Sequence, residues 1–325
     1  MNRLVDRYGR AHRDLRVSLT DRCSLRCTYC MPAEGLPWLP APELLTTPEM
    51  VRLVRLLVDL GITEVRLTGG EPLLRPDVVA VVDALAEVTE VSVTTNGLVL
   101  DRLAPALRAA GLRRVNISID TLRRDRFLAM TRRDRLDDVL AGIDAAAAAG
   151  LHPVKLNTVL MRGVNDDEAI DLLRFALDKG VHLRFIEQMP LDAQHAWRRE
   201  EMVTAEEILA ALSAEFDLEP LDGRGSAPAE KFSVNGGPQT VGVIGSVTRP
   251  FCGACDRLRL TADGQLRTCL FARTETDLRT PLRDGAGDAE LAGLVLAAVL
   301  GKQPGHGIDD PTFLQPPRPM SAIGG

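Results

Sequence analysis

Short apolar segments rich in β-branched residues recur along the first two thirds of the chain, and segments with helical spacing of apolar residues lie between them. The segment from residue 47 to residue 61 is typical of a helix, because Thr47 can cap its N-terminus, Pro48 suits its first turn and Gly61 can end it. The same helical spacing recurs in residues 135–150 and 166–180. The strand-like segments are residues 15–20, 64–68, 91–95, 113–120, 153–160 and 181–187. This alternation predicts a parallel sheet, either an incomplete β/α barrel or a doubly wound sheet.

Polar residues suited to a reaction site stand where the strand-like segments end. They include Gly69, Gly70 and Glu71 after the second segment, and the polar residues within 94–97, 118–120 and 187–190. Because the carboxyl ends of the strands form the reaction face of β/α barrels, this pattern favours the barrel. A doubly wound sheet also places its sites at strand ends and stays the alternative.

Composition and charge restrict the classes of function. Of the 325 residues 45% are hydrophobic and 26% are charged, and the net charge of −6 argues against nonspecific binding to nucleic acid. The first 15 residues carry charges throughout, which is unlike a secretory signal, and the apolar stretch at 291–301 is too short to span a bilayer. We therefore expect a cytoplasmic enzyme that acts away from membranes, in which cysteines are free thiols or metal ligands.

The cysteines fall into two groups of three. They are Cys23, Cys27 and Cys30 in the first triplet and Cys252, Cys255 and Cys269 in the second. A disulfide uses two cysteines and a closed zinc site uses four ligands, and no histidine is near either triplet in the sequence. A [4Fe–4S] cluster tolerates three cysteine ligands and leaves one iron free for a small molecule. Zinc binding and ordinary buried cysteines stay the alternatives.

A turn is predicted between the members of the second triplet. Asp263-Gly264 is a frequent turn pair, so residues 261–266 indicate a hairpin. Such a hairpin would bring Cys269 back toward Cys252 and Cys255.

Basic residues are also predicted at the carboxyl ends of the strands, which form the rim of the barrel. Arg257 and Arg259 alternate, so a strand there would direct both guanidinium groups to one face beside the second triplet. Arg16 and Arg66 lie on strands that end at the rim, and Lys155 begins another such strand. Arginine binds phosphate in a bidentate manner, which predicts a phosphate-rich substrate. Solvated surface arginines are the other interpretation.

Two motifs in this order resemble the radical S-adenosylmethionine superfamily: the first triplet with Tyr29 before its last cysteine, and GGE at residues 69–71. The C-terminal part narrows the resemblance, since FCGACDRLRLTADGQLRTCLF at residues 251–271 and the final IGG are similar to the GTP 3′,8-cyclase family of molybdenum-cofactor biosynthesis. DRCSLRCTYCMP, RLTGGEPLLR, VTTNG, NISIDTL and VKLNTVLMRGVN match the same family.

The resemblance implies an incomplete (β/α)6 TIM-like barrel over residues 1–220 and a smaller C-terminal region over residues 221–325 that carries the second cluster. It implies two [4Fe–4S] clusters, held by the two cysteine triplets, and S-adenosylmethionine. It also implies a lyase that removes hydrogen from C3′ of GTP and joins this carbon to C8 of guanine.

The resemblance also implies a role for particular residues. The S-adenosylmethionine contacts are Tyr29, Gly70, Ser118 and Met189. The GTP contacts are Arg16, Arg66, Thr94, Lys155, Arg257, Leu258 and Arg259. The terminal Gly324 and Gly325 are implied to enter the active site and to be needed for cyclisation, whereas a frayed end is the other interpretation.

The partners that the resemblance implies are a low-potential electron donor such as flavodoxin or ferredoxin, the downstream cyclic pyranopterin monophosphate synthase, and a second copy of the chain in a homodimer. Two other classes of function stay open. One is a peptide-modifying radical enzyme with auxiliary clusters, and the other is a zinc-stapled binding protein without catalysis.

Overall fold

Strands and helices alternate through residues 4–324, the part of the chain that this computed structural model describes. The strands are β1 (Asp14–Ser18), β2 (Glu64–Thr68), β3 (Glu90–Thr95), β4 (Arg114–Ser118), β5 (Val154–Val159), β6 (His182–Ile186), β7 (Leu218–Leu221), β8 (Glu230–Val234), β9 (Thr240–Ile244), β10 (Arg257–Leu260), β11 (Gln265–Arg267) and β12 (Thr276–Asp277). The α-helices are α1 (Thr47–Leu60), α2 (Val78–Ala86), α3 (Leu100–Ala109), α4 (Arg124–Thr131), α5 (Leu136–Ala148), α6 (Ala169–Asp178), α7 (Ala205–Ser213), α8 (Arg279–Arg283), α9 (Asp288–Leu300) and α10 (Met320–Ile323). Single 3-10 turns occur at Ala41–Glu43, Pro72–Leu74, Asp166–Glu168, Arg199–Glu201 and Cys252–Ala254. None of the helices within residues 4–324 has the length and apolar character needed to cross a membrane.

The strands of this described part form one sheet in the order β12-β11-β10-β1-β2-β3-β4-β5-β6-β9-β8-β7. Strands β1 to β6 are parallel and adjacent in chain order. A doubly wound sheet would reverse its strand order at a switch point, whereas a β/α barrel keeps the chain order. The predicted incomplete barrel of six β/α units is therefore confirmed.

The C-terminal region adds strands to both edges of this barrel sheet. Strand β9 pairs in parallel with β6, and β10 pairs in parallel with β1. The remaining strands continue the sheet as antiparallel pairs. The sheet thus runs without a break into the C-terminal region, and the division at residue 220 stays a prediction.

Alternate side chains of the strands face the helices and the barrel interior. On β1, Leu15 and Val17 are completely buried, while Arg16 between them lines an internal cavity. The buried stripe of α1 packs in the same core and comprises Met50, Leu53, Val54, Leu57 and Leu60. The apolar core therefore lies between sheet and helices, and the inner face of the sheet carries polar side chains.

Helix α1 begins one residue earlier than the sequence suggested. Its N-cap is Thr46 and not Thr47, because Glu49 stands three residues after Thr46 and completes a capping box. The Glu49 carboxylate accepts the Thr46 N–H at 2.7 Å, and the Thr46 hydroxyl accepts the Glu49 N–H at 3.4 Å. Pro48 consequently occupies the second helical position, where it also lacks an N–H that needs a partner.

The predicted hairpin in the C-terminal region is confirmed. Strands β10 and β11 are antiparallel, with Leu260 opposite Leu266. Gly264 adopts a φ of +77°, which a residue without a side chain enters readily. This turn reverses the chain toward Cys269.

Candidate active site

A cavity of about 330 Å³ lies at the carboxyl ends of the parallel strands. Thr68, Thr94 and Ser118 line it from the ends of three adjacent strands. The cysteines of both triplets line it as well: Cys23, Cys27, Cys30, Cys252, Cys255 and Cys269. The fold therefore brings two triplets that are far apart in the sequence to the same cavity.

The loop that carries the first triplet follows β1 and is attached to the end of α4. The Arg26 N–H donates to the Thr131 carbonyl oxygen at 3.0 Å, and the Thr28 N–H donates to that of Met130 at 2.9 Å. Within the loop, the Cys30 N–H donates to the Cys27 carbonyl oxygen at 3.0 Å. These bonds hold the triplet as a tight turn at the mouth of the barrel.

Gly70 allows the same loop to approach the end of β2. Its N–H donates to the Thr20 carbonyl oxygen at 2.8 Å. A Cβ atom at this position would lie 2.4 Å from the Arg22 carbonyl oxygen and 2.5 Å from that of Asp21. A side chain here would therefore displace the loop that carries the first triplet, which is a reason for glycine that the sequence did not reveal.

Burial disfavours the charged thiolate form of all three cysteines in the first triplet. Burial raises the pKa of Cys23 to about 11 and that of Cys30 to about 12. Burial also raises the pKa of Cys27, and the charge of Asp120 adds to the effect. Such thiols stay protonated until a cation replaces the protons, and three soft sulfur ligands on one turn suit an iron–sulfur cluster. Among residues 4–324, no group of three or more His, Cys, Asp or Glu side chains is placed to hold a metal ion, so ligation by the triplets stays a prediction.

The residues implied for S-adenosylmethionine lie together beside the first triplet. The Tyr29 hydroxyl donates to the Asp120 carboxylate at 2.7 Å, and the Val159 N–H donates to the same carboxylate at 2.9 Å. Burial raises the pKa of Asp120 to about 6. The cavity is lined by all four implied residues, namely Tyr29, Gly70, Ser118 and Met189.

Glu71 fixes the ends of β2 and β3 to one another. Its buried carboxylate accepts the Thr95 hydroxyl and the Asn96 N–H, each at 2.7 Å. Burial raises the pKa of Glu71 to about 7. The Asn96 side-chain amide in turn donates to the Ser24 hydroxyl at 3.0 Å. Glu71, which the sequence indicated only as the last residue of the GGE motif, and Asn96, which received no role there, are thus positioning residues for the loop of the first triplet.

Arginines from neighbouring strands line the same cavity: Arg16, Arg66, Arg184, Arg257 and Arg259. In the sheet register, Arg16 stands opposite Arg66 on one side and opposite Arg259 on the other. Burial, followed by the charges of Arg66 and Arg259, lowers the pKa of Arg16 well below its usual range. Burial and the charge of Arg257 lower the pKa of Arg259 to about 10. The arginines thus repel one another until an anion binds between them.

Unpaired polar atoms in this region point to a polar ligand. The Arg16 Nε and Asn157 Oδ1 atoms are buried, and neither has a hydrogen-bond partner among residues 4–324. The nearby carboxylate is that of Asp14. Burial acts to raise the pKa of Asp14, but neighbouring positive charges, that of Arg16 first, outweigh burial and lower this pKa. Buried polar groups without partners are costly, so this arrangement fits a bound anion with several oxygens, such as a triphosphate.

The structure places two of the implied GTP contacts away from the cavity wall. The side chain of Leu258 is completely buried in the apolar core, and Lys155 is half-buried and does not line the cavity. Burial, with the charge of Arg184, lowers the pKa of Lys155 to about 7. Thr94 does line the cavity. The roles of these three residues in binding GTP stay predictions.

Arg184 and His306 line the cavity and were missed by sequence reasoning. Arg184 stands on β6 with its guanidinium donating to the Asn116 side-chain oxygen at 3.0 Å, and its alternation with Leu183 could have indicated it. His306 packs against Phe271 with ring centroids 5.0 Å apart. Because His306 comes 37 positions after Cys269 (306 − 269), proximity in sequence gave no signal.

Lys302 stabilises the backbone around Cys255 of the second triplet. Its buried ammonium group donates to the carbonyl oxygens of Arg257 at 2.9 Å and Cys255 at 3.2 Å, and it lies 3.9 Å from the Cys255 sulfur. Although burial opposes it, the charges of Lys302 and Arg257 lower the pKa of Cys255. From the N-terminal segment, the Arg10 guanidinium donates to the Cys252 carbonyl oxygen at 2.8 Å.

Replacement of Lys302 by Met is expected to destabilise the protein by about 1 to 3 kcal/mol, because two buried carbonyl oxygens lose a donor. Urea unfolding of the anaerobically purified protein measures this effect. Lys179→Met is the matched control, since Lys179 is surface-exposed and pairs with Asp144 there. A surface ion pair contributes little, so the control should change the free energy of unfolding by less than about 1 kcal/mol. Equal effects of both changes would contradict the supporting role of Lys302.

The C-terminal segment reaches into the barrel. The Met320 N–H donates to the Leu191 carbonyl oxygen at 3.0 Å, and Ser321 lines the cavity. The Gly324 carbonyl oxygen accepts a hydrogen bond from Arg259 at 3.1 Å. With a φ of +89°, a Cβ atom on Gly324 would lie 2.6 Å from the Thr68 hydroxyl oxygen. Gly325 lies outside the described residues, and the role of both glycines in cyclisation stays a prediction.

Two protein families match the sequence. Residues 17–176 match the Radical SAM superfamily, and residues 181–308 match Molybdenum Cofactor Synthesis C. The GTP 3′,8-cyclase of Streptomyces coelicolor is 63% identical over 328 residues, which cover 99% of this chain and 96% of that protein. The GTP 3′,8-cyclase of Mycolicibacterium smegmatis is 58% identical over 331 residues, which cover 99% of this chain and 92% of that protein.

Among solved structures, Streptococcus suis SuiB bound to S-adenosylmethionine is similar to this chain with a TM-score of 0.61. The sequence identity is 14%, and the match covers 86% of this chain and 68% of SuiB. At this identity the likeness concerns the fold alone, and it agrees with the incomplete barrel described above.

Proposed function

Because this chain belongs to the GTP 3′,8-cyclase family of the radical S-adenosylmethionine superfamily, we propose that its cavity binds S-adenosylmethionine and GTP together, between two [4Fe–4S] clusters. The chain is a radical lyase that cyclises GTP between C3′ and C8 in molybdenum-cofactor biosynthesis. The observation that carries the site assignment is the meeting of both cysteine triplets and a group of arginines at one cavity.

The arginines of the cavity bind the triphosphate. Arg16, Arg66 and Arg259 form one row across adjacent strands, so their guanidinium groups can take up oxygens of successive phosphates. Arg259 donates one N–H to the Gly324 carbonyl oxygen, and its other N–H groups can bind the substrate. The negative charge of the triphosphate compensates the mutual repulsion of these guanidinium groups. The bound triphosphate in turn fixes the position of the ribose and guanine in the cavity.

S-adenosylmethionine and the first cluster, when bound, supply the radical chemistry. Tyr29, held by Asp120, orients the adenine side of this cofactor, and Glu71 holds the cysteine loop against the ends of β2 and β3. The protein contributes two things: it holds GTP in a fixed position beside the bound cofactor, and it excludes water from the cavity. The C-terminal segment borders the cavity through Met320 and Ser321, and Arg259 holds the Gly324 carbonyl oxygen beside it.

The assignment is tested by incubating the reduced, reconstituted protein with S-adenosylmethionine and each of ATP, CTP, GTP and UTP. Of the four nucleotides, we expect only GTP to give 5′-deoxyadenosine together with an isomer of the nucleotide. The products are separated by chromatography and identified by mass spectrometry. About eight irons per chain should accompany the activity, four for each cluster. Zinc without iron would instead support a binding protein, and turnover of a peptide without GTP would support a peptide-modifying enzyme.

Arg16→Met is expected to weaken GTP binding about tenfold or more, because a hydrogen bond to a charged group is worth about 1.5 to 3 kcal/mol. The same change should not destabilise the ligand-free protein, since burial and the like charges of Arg66 and Arg259 already lower the pKa of Arg16. Calorimetry with GTP and urea unfolding measure the two effects. Arg108→Met, an exposed position, is the control. Unchanged GTP affinity in the Arg16 variant would remove this residue from the binding site.

We further propose that this chain has the partners, the oligomeric state and the location expected for the family. They are a low-potential electron donor such as flavodoxin or ferredoxin, delivery of the product to a cyclic pyranopterin monophosphate synthase, a homodimeric state and a cytoplasmic location. The supporting argument is chemical, since the reaction consumes two electrons, one to cleave S-adenosylmethionine and one, with a proton, to complete the cyclised nucleotide, and neither GTP nor a thiol of the chain supplies them. Sedimentation of the reconstituted protein tests the dimer.

A further inference from the structure

Charged side chains join the C-terminal segment to the hairpin of β10 and β11. We call these residues the tail clamp and define it by Asp263, Arg267, Glu275 and Arg318. The Arg318 guanidinium donates to both carboxylate oxygens of Asp263, at 2.9 and 2.7 Å, and its Nε lies 3.0 Å from the Glu275 carboxylate. A bidentate bond of this kind fixes the orientation of both partners as well as their distance.

The two carboxylates of the tail clamp are themselves held in place. Asp263 stands in the turn of the hairpin, is 6% exposed and accepts the Thr261 hydroxyl at 2.6 Å. Glu275 forms an ion pair with Arg267 of β11, whose side chain is buried. Burial opposes the charges of Arg318 and Asp263, but their mutual hydrogen bonds raise the pKa of Arg318 and lower that of Asp263. The pair therefore stays ionised at neutral pH.

Arg267 extends the tail clamp to the loop of the second triplet. Its guanidinium donates to the carbonyl oxygens of Leu270, at 3.4 Å, and of Ala272. In the chain, Cys269 lies between β11 and these two acceptors. The residues that hold Arg318 thus also fix the loop that carries Cys269.

Further along the C-terminal segment, other contacts hold it to the loop that follows β6. The Met320 N–H donates to the carbonyl oxygen of Leu191 in that loop at 3.0 Å. Ile323 is 1% exposed and packs in one apolar cluster with Leu191 and Phe271. Because Phe271 belongs to the loop of the second triplet, the segment contacts both loops at once.

The C-terminal segment depends on such contacts because it has little structure of its own. Helix α10 is a single turn of four residues, which is not stable in water by itself. Arg318 is the one charged side chain in the sequence from residue 311 to residue 325. Among residues 4–324, Met320 and Ser321 line the cavity, whereas Arg318 does not. The tail clamp therefore holds the segment from outside the cavity.

We propose that Arg318 is a positioning residue for the cyclisation, an inference that rests on the proposed function. Its bonds to Asp263 and Glu275 hold α10 in the place from which the Gly324 carbonyl oxygen reaches Arg259. Residues 319–323 alone separate Arg318 from Gly324, so the tail clamp fixes the segment close to its end. A side chain that does not line the cavity thus sets the geometry at the cavity.

The first test measures whether Arg318 holds the tail. In the reconstituted protein, Arg318→Gln should speed hydrogen exchange of the Met320 and Gly324 N–H groups about tenfold or more, because the segment opens more often without its bidentate pair. Mass spectrometry of peptides from residues 313–325 measures this exchange. The matched control is Arg174→Gln, since Arg174 also binds two carboxylates, those of Asp171 and Glu215, but on the outer surface at α6. Exchange in the tail should be native in the control.

The second test measures the consequence for the reaction. At saturating GTP, Arg318→Gln should lower the rate of formation of cyclised GTP about tenfold or more, while iron per chain stays native and the dissociation constant for GTP changes by less than about twofold. Arg318→Lys keeps the charge but not the planar fork, so it should recover part of the slow exchange and part of the product.

A double variant shows whether Arg318 acts through Asp263. Arg318→Gln/Asp263→Asn should lose no more product than the more affected of the two single variants, because both changes remove the same bond. Additive losses would assign the two residues separate roles and contradict the tail clamp.

Four further results would overturn the positioning role of Arg318: native exchange in the tail of Arg318→Gln, native product formation despite faster exchange, an equal loss of product in Arg174→Gln, or a loss of product that only follows a loss of iron. Failure of the proposed function is a separate result. It would appear as absence of cyclised GTP with the native chain, whereas exchange in the tail can still be compared between the variants.

Discussion

Cys27→Ala is expected to reduce 5′-deoxyadenosine formation below detection. Cys27 lies in the middle of the turn of the first triplet, where its carbonyl oxygen also accepts the Cys30 N–H at 3.0 Å. Removal of one of three thiolates leaves a cluster with too few ligands to be retained, so the source of the electron is lost. The measurements are iron per chain and 5′-deoxyadenosine in the presence of dithionite and S-adenosylmethionine.

The matched control for this change is Cys269→Ala in the second triplet. Both thiols line the same cavity, but only Cys27 is on the turn beside Tyr29. The control should lose cyclised GTP and yet keep the iron of the first cluster and some uncoupled formation of 5′-deoxyadenosine. Formation of 5′-deoxyadenosine at the native rate by the Cys27 variant would refute the assignment of the first triplet.

Deletion of Gly324 and Gly325 is expected to reduce cyclised GTP by about a hundredfold or more, since a small misplacement of substrate or radical can cost that factor. Gly324 lies between Arg259 and the ends of β1 and β2, where its carbonyl oxygen takes one of the arginine donors at 3.1 Å. Both clusters should keep their iron, and GTP should still bind, because among residues 4–324 the hydrogen bond to Gly324 from the cavity arginines comes from Arg259, and the others stay available for the substrate. Product, iron and GTP affinity are measured on the same preparation.

Gly324→Ala separates contact from backbone strain in this tail. A Cβ atom there would be 2.6 Å from the Thr68 hydroxyl oxygen, and the φ of +89° is unfavourable for alanine. The control is Gly223→Ala, which has a similar φ of +81° but nothing within 4 Å of the new Cβ atom. We expect the first variant to lose most cyclisation and the second to keep it. Full turnover after deletion of both glycines would show that the tail is only a frayed end.

Much of the site could be predicted from the sequence because its signals are local. The spacing of Cys23, Cys27 and Cys30 and the alternation of Arg257 and Arg259 need only neighbouring residues to be recognised. The order of the six parallel strands likewise follows from the repeated pattern of strand and helix. These are the features that the fold then brought to one cavity.

The rest depends on contacts between distant parts of the chain. Lys302 lies 47 positions after Cys255 (302 − 255), and nothing in its neighbourhood, a glycine and a polar loop, indicates a buried ammonium group. Arg184 has the same alternation as Arg66, but an arginine on a strand is as often solvated. The addition of β9 and β10 to opposite edges of the barrel could not be predicted either, because strand pairing across such separations leaves no periodic signal.

The parallel pairing of β10 with β1 has a consequence for how the chain is synthesised. Strand β1 ends at Ser18, yet its outer partner begins at Arg257, so the growing chain carries an unpaired strand edge until nearly all of it has left the ribosome. Exposed strand edges are sites of aggregation, and contacts of such long sequence separation form slowly. The loop of the first triplet can form earlier, because its bonds to α4 and to the end of β2 involve only residues that precede residue 132. The second triplet flanks β10, so the cavity that both triplets line should be completed only after this late pairing, and a nascent chain stalled before residue 257 should be more prone to aggregate than the full chain.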